Sequence, residues 1–179
     1  MQKLMTAEEL FEWVNGKRGE LIKGEFVEMS PGGGTHGNLA IKFGRILANY
    51  VYDNNLGEAF GAETGFILSR DPDTVRAPDF AFIAKDRLPL IKEFDKFISI
   101  PPDLAVEILS PNDHWPDVED KIADYFAAGV GLVWIVKPKS QSVHAYRSLS
   151  QISLLNGSDL LEGDHILPGF SIPVEQIFA

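Results

Sequence analysis

Asp79, Glu107 and Lys121 are the residues of this sequence whose types and surroundings could do chemistry together. Asp79 follows Arg76-Ala77-Pro78 and opens an apolar strand, while Glu107 lies inside the near-continuous apolar run Asp103–Leu109. A carboxylate in such a strand costs several kcal/mol if left dry and unpaired, so a cation, an arginine or a proton must compensate it. The plain reading is a structural ion pair, for example with Arg76; the chemical reading is a metal ligand. On an expected helix over Val118–Ala128, apolar Val118, Ile122, Tyr125 and Phe126 share one arc. Lys121 falls roughly 60° from Val118, at the edge of that arc. There it either snorkels over apolar surface or points along the sheet. Two carboxylates on neighbouring strands with one lysine suit metal-assisted phosphodiester hydrolysis. Carboxylates hold Mg²⁺ (or Mn²⁺), which prefers oxygen ligands and keeps several waters. The metal polarises the phosphodiester and lowers the pKa of an attacking water. A lysine stabilises charge that develops in the transition state, or orients the water.

Other candidates carry less. Gly32–Gly37 reads GGGTHG and matches G-x-G-x-x-G, with Glu58 about 20 residues further on. The strand before it is a polar-alternating hairpin arm, however, not the buried parallel strand that opens a dinucleotide-binding fold. No apolar strand is evident between the following helix and Glu58, and a flexible turn is the better reading. His36, His114, His144 and His165 show no metal-binding spacing. His36 stands at a helix start in the Gly-rich loop. There is no G-x-S-x-G elbow for a serine hydrolase, and the absence of cysteine excludes disulfides, zinc fingers and thiol catalysis together.

The elements that must position these residues follow from periodicity. Thr6 can N-cap a short helix with Glu9 as capping-box partner, burying Leu10, Trp13 and Val14. Glu20–Met29 reads as a hairpin turning at Lys23-Gly24. From Asn38 to Tyr52 the residues Leu39, Phe43, Ile46, Leu47 and Tyr50 make one apolar helix face. Gly65–Ser69 and Asp79–Ala84 are short apolar strands around the turn-like Asp71-Pro72-Asp73. The order strand (Asp103–Leu109), helix (Val118–Ala128), strand (Leu132–Val136) implies parallel pairing through a crossover. Strands over Ser142–Arg147 and Ile152–Leu155 follow, and Pro173–Phe178 closes the chain as a short helix. The expectation is one α/β domain over residues 1–179, a mixed sheet flanked by helices with extra antiparallel strands.

The 179 residues are 45% hydrophobic and 23% charged, which suits an ordinary globular domain. Met1–Leu10 is polar rather than leader-like, and no apolar run approaches the roughly 20 residues that span a bilayer. The expected setting is therefore cytoplasmic, with no membrane partner. Sixteen Lys and Arg against 26 Asp and Glu leave a charge of −10, which opposes non-specific binding to nucleic acid. Lys85, Arg87, Lys92 and Lys96 are offset by Asp86, Glu93 and Asp95.

Taken in order, ELIKGEFVEMSP (Glu20–Pro31), His36, RAPDFAFI (Arg76–Ile83), PPDLAVEILSPND (Pro101–Asp113) and KIADYFAAGVGLVWIVKP (Lys121–Pro138) resemble the Uma-type family of small bacterial proteins described as restriction endonucleases. That family lies in the PD-(D/E)XK nuclease superfamily, and the resemblance runs from Thr6 to about Ile172. It implies a restriction-endonuclease-like mixed sheet flanked by helices, Mg²⁺- or Mn²⁺-dependent endonuclease activity, and nucleic acid, with DNA first, as partner. Asp79 matches the Asp of PD and Glu107 the acidic residue of the second motif, both as metal ligands. Leu109 stands where the superfamily pattern has Lys; the resemblance places the catalytic lysine on the next helix, at Lys121. Glu20 matches an early acidic position that adds a metal or supporting ligand, and His36 is a further auxiliary. After the WIV strand the family usually has Asp, where this chain has Lys137. A homodimer would supply two active sites for cutting both strands of a duplex. The alternative is a catalytically silent nuclease-fold protein acting as a partner-binding or assembly module, which does not need Asp79, Glu107 and Lys121 to converge.

Overall fold

The computed structural model describes residues 4–13 and 18–179. In chain order these form α1 (Ala7–Glu12), β1 (Gly19–Ile22), β2 (Glu25–Glu28), α2 (Gly34–Asp53), β3 (Gly57–Gly61), β4 (Phe66–Ser69), β5 (Thr74–Arg76), β6 (Phe80–Ala84), β7 (Leu104–Ile108), α3 (Trp115–Ala127), β8 (Leu132–Lys137), β9 (Ser142–Ser148), β10 (Gln151–Asn156), β11 (Leu160–Glu162), β12 (Ser171–Pro173) and α4 (Glu175–Phe178). A six-stranded sheet runs β10-β9-β8-β7-β6-β3, and a four-stranded sheet runs β2-β1-β5-β4. β11 and β12 pair alone. β7 and β8 are parallel, as the crossover through α3 requires, while β6 and β9 flank them antiparallel. No helix among the described residues is long and apolar enough to cross a membrane.

Strand alternation decides which helix each central residue meets. Leu104, Val106 and Ile108 of β7, with Leu132, Trp134 and Val136 of β8, pack on Leu39, Phe43, Leu47 and Val51 of α2. Ala105, Val133 and Ile135 face the other way, onto Val118, Ile122 and Tyr125 of α3. Glu107, one residue after Val106, therefore emerges on the α3 side. The central sheet is covered by helices on both faces, which is why its strands read as continuous apolar runs.

Local signals explain the short elements. Thr6 and Glu9 form the expected reciprocal capping box. Lys23 and Gly24 both take positive φ, 51° and 80°, the geometry of a tight hairpin turn. Three expectations are corrected. The GGGTHG stretch is not a turn throughout: Gly33 N-caps α2, which starts at Gly34 rather than Asn38. The strand before it is the hairpin arm β2, paired antiparallel to β1. Glu58, expected to follow the helix with no strand about it, lies in the edge strand Gly57–Gly61 on β6, hidden by two glycines that weaken the strand pattern. Trp13 lies past the end of α1 and is 38% exposed, not buried; Val14, expected beside it, lies outside the described residues.

The packing predicts its own test. Phe43 is buried in the α2 core, its ring 6.0 Å from that of Trp134. Phe43→Ala should lower stability by about 3–5 kcal/mol, read as a shifted urea midpoint with an unchanged slope.

Candidate active site

Register places the two carboxylates. β6 and β7 pair Ala81 with Ala105 and Phe80 with Val106. Continuing by one residue sets Asp79 across from Glu107 on the same face, where cross-strand neighbours interact. The Asp79 carboxylate takes the next backbone donor, the Ile108 N–H, at 2.7 Å. His36, in the first turn of α2, brings Nε2 to 3.2 Å from both Asp79 oxygens. That hydrogen bond with Asp79 raises the imidazole pKa above its ordinary value. A Cβ on Gly32 would come within 2.8 Å of His36 Nδ1, so a side chain there would displace the imidazole.

Lys121 comes from the first half of α3, on the face where residues three and four apart are neighbours. Its ammonium lies 3.2 Å from Glu107 Oε2 and 3.1 Å from Glu20 Oε1. Tyr125, one turn on, donates its hydroxyl to Glu107 Oε1 at 2.5 Å. The small sheet supplies the rest. β1 and β5 pair Leu21 with Val75, pointing both into one cluster. Their neighbours Glu20 and Arg76 therefore share the opposite face, with Arg76 Nη1 2.9 Å from Glu20 Oε2. The Ala77 N–H donates to Glu20 Oε1 at 2.9 Å, and Arg76 also grips Asp124 of α3 at 2.5 Å.

All five sequence-derived residues thus meet: Asp79 with His36, Glu107 with Lys121, and Lys121 with Glu20. Arg76 does not pair with Glu107, as the plain reading supposed; it holds Glu20 and Asp124. Sequence reading passed over Asp124 and Tyr125 as partners, although their spacing of three and four from Lys121 puts them on its face. Leu109 joins the apolar cluster on the α3 side, so the position two residues beyond Glu107 is filled with hydrocarbon. Lys137 extends over the Trp115 ring, 5.3 Å from its centroid, a cation–π contact at the start of α3. The charges expected to cancel near residue 90 do so in part, through Arg87 with Asp103 and Lys96 with Glu93.

Three carboxylates (Glu20, Glu107 and Asp124) pair with the cations Arg76 and Lys121, and a fourth, Asp79, with His36. Burial pushes Glu20 up, but Lys121, Arg76 and the Ala77 N–H outweigh it and hold that carboxyl below the ordinary value. Burial pushes Glu107 up too; Asp79 and Glu20 add to this against Lys121, and it rises to about 7. Lys121 is pressed down by burial yet held above its ordinary value by Glu107 and Glu20. This donor set fits a hard divalent cation. Asp79 and Glu107 offer oxygen ligands, and their excess negative charge is what a dication would neutralise. Among the described residues no group of three or more His, Asp or Glu side chains is placed to ligate one ion. An ion held by two carboxylates would keep much of its coordination as water. Both oxygens of Glu20 are already taken by Lys121, Ala77 and Arg76, which makes Glu20 a support for Lys121.

A raised carboxyl pKa has a definite sign. The folded state holds the Glu107 proton more tightly than the unfolded state, so stability falls as pH climbs from about 4.5 to about 7. In chelator, Glu107→Gln should remove that decline, on the order of 3 kcal/mol. The variant should then melt at or above wild type at pH 8, but not at pH 4.5. Melting curves across this range check it; a variant that is much less stable at pH 8 would mark Glu107 as a structural ion-pair partner.

Comparison with known proteins agrees with this architecture. The crystal structure of a "putative nuclease belonging to DUF820" from Anabaena variabilis superposes with a TM-score of 0.82 over 97% of each chain, at 20% identity, a likeness of fold. No curated protein matches the sequence. The model of the Uma2 family, described as "Putative restriction endonuclease", matches residues 7–175, from the capped helix to α4 and across every residue of the network above. On that match the chain belongs to the Uma2 family.

Proposed function

We propose that this chain is a Mg²⁺- or Mn²⁺-dependent endonuclease that hydrolyses phosphodiester bonds, with DNA as the first substrate to test. The carrying observation is that Lys121 sits 3.2 Å from Glu107 in the same cleft as Asp79. The family description as a restriction endonuclease and the nuclease named on the similar fold support the reaction class. A partner-binding module has no need of this convergence.

Asp79 and Glu107 would hold the cation, which when bound would polarise the phosphodiester and acidify water. The chain's own groups do the remaining work. Glu20 and Glu107 keep Lys121 protonated, so it acts as a fixed positive charge and hydrogen-bond donor rather than a base. Arg76 and the Ala77 N–H fix Glu20, which in turn aims Lys121. Tyr125 and the Ile108 N–H fix the orientation of Glu107 and Asp79. In the hydrolysis, a water oxygen bonds to phosphorus as the water gives up a proton, the ester P–O bond breaks, and the leaving oxygen takes up a proton in its place. Negative charge gathers on the phosphoryl oxygens meanwhile, and the ammonium of Lys121 is placed to meet it.

Calorimetry should show weak Mn²⁺ binding that vanishes in Asp79→Asn. With Mg²⁺ or Mn²⁺ and a panel of DNA and RNA forms, wild type should cut and Glu107→Gln should not. Lys121→Ala should lower the rate on the order of 10²–10³-fold while retaining the Mn²⁺ isotherm. Cutting that persists in Glu107→Gln would reject the site.

A further inference from the structure

Glu107, Lys121 and Asp79 line one open cleft of about 1400 Å³, larger than the roughly 300–1,000 Å³ of a small-molecule pocket. Both His36 and Tyr52 of α2 line it. They are separated by about 24 Å of helix at 1.5 Å per residue, so the cleft has the length of a polymer segment. Across from α2 it is lined by α1 and the β1–β2 hairpin. Its exposed lining includes aromatic rings beside aliphatic and acidic side chains: Trp13 is 38% and Tyr52 52% exposed, and Phe26 packs edge-on against Trp13 at 4.7 Å. Its cations are few. Arg18 is paired with Glu63, and Arg76 and Lys121 are held by carboxylates. Lys23 and Arg45 line the cleft with no carboxylate partner among the described residues.

These features select between forms of nucleic acid. A duplex presents phosphates and hides its base faces, and proteins hold it largely by neutralising backbone charge. A chain of charge −10 with two uncommitted cations in the cleft is poorly equipped for that. An unpaired strand presents base faces, which stack on aromatic rings whatever the sequence. Resting on the phosphodiester-cleaving reading of the same site, we propose that the cleft seats an unpaired nucleic-acid strand. Its bases stack on Trp13 and Tyr52, and its backbone passes Lys121 and Glu107. The substrate class is then single-stranded DNA or RNA, or a frayed or looped region of a duplex.

The test is anisotropy of labelled oligonucleotides of about 15 nucleotides, the upper end of single-strand site sizes. Full-length protein carrying Glu107→Gln is used, so that the probe is not consumed. Single strands should bind at least tenfold more tightly than the duplex of the same sequence. Adding Trp13→Ala or Tyr52→Ala should each weaken strand binding about tenfold, and Trp13→Phe should recover it. The ratio of DNA to RNA binding separates the two sources of strand. Tighter binding of duplex, or strand binding untouched by both alanine variants, would overturn the proposal. So would sedimentation showing a dimer that Trp13→Ala dissociates while strand binding is unchanged, because the cleft would then be a contact between copies. If wild type cuts nothing with Mg²⁺ while strand binding still depends on Trp13 and Tyr52, the seating stands and the nuclease reading falls.

Discussion

The ammonium of Lys121 is carried into a place where water does little for it, and two carboxylates from different sheets take over its solvation. Glu107 lies at 3.2 Å on β7 and Glu20 at 3.1 Å on β1. Removing Glu20, which is held ionised between Lys121 and Arg76, would leave buried charge short of compensation, which is far more costly than losing a surface pair. The position of α3 over the central sheet and the docking of the hairpin sheet are therefore coupled through one atom. Arg76 repeats the arrangement with the same charges, a cation joining Glu20 of β1 to Asp124 of α3. Lysine and arginine alternate with acids across the seam, and Glu20 and Glu107 are each fixed by a neutral donor as well.

That seam leaves the site with more negative charge than its own cations cancel. Buried carboxylates tolerate this poorly, and Glu107 registers the strain as a pKa of about 7. The neighbouring groups are settled: Glu20 is saturated by three donors, and Tyr125 keeps its proton because burial and Glu107 both oppose its ionisation. What is unsettled is confined to the Asp79–Glu107 edge, the part of the network that faces His36 and the open cleft.

The central strands and both large helices were legible because their burial imposes strong periods. LAVEI and LVWIV can only be strands covered on both sides, and the α2 stripe is helical at a glance. Glu107 was legible for the same reason, as a charge breaking an apolar run. Lys121 was legible only as a position at the edge of an arc, and Glu20 and His36 only through family resemblance. Asp124, Tyr125 and the true partner of Arg76 were not read, because they depend on which sheet lies opposite which helix. The three-residue β5 and the edge strand β3, with its two glycines, escaped for a different reason: elements this short are held by their neighbours, not by their own pattern. The lysine at 137, unexplained as a departure from the family pattern, gains a physical account once Trp115 is found beneath it.

The seam between the two sheets also bears on how the protein comes into being. Glu20 and Arg76 lie on the small sheet, while Asp79, Glu107 and Lys121 lie on or over the large one. Contacts so distant along the chain must meet the entropy of loop closure before they return any energy. Helices and hairpins can form earlier on local contacts alone. The network that joins the two sheets is thus available only to a chain that has finished folding.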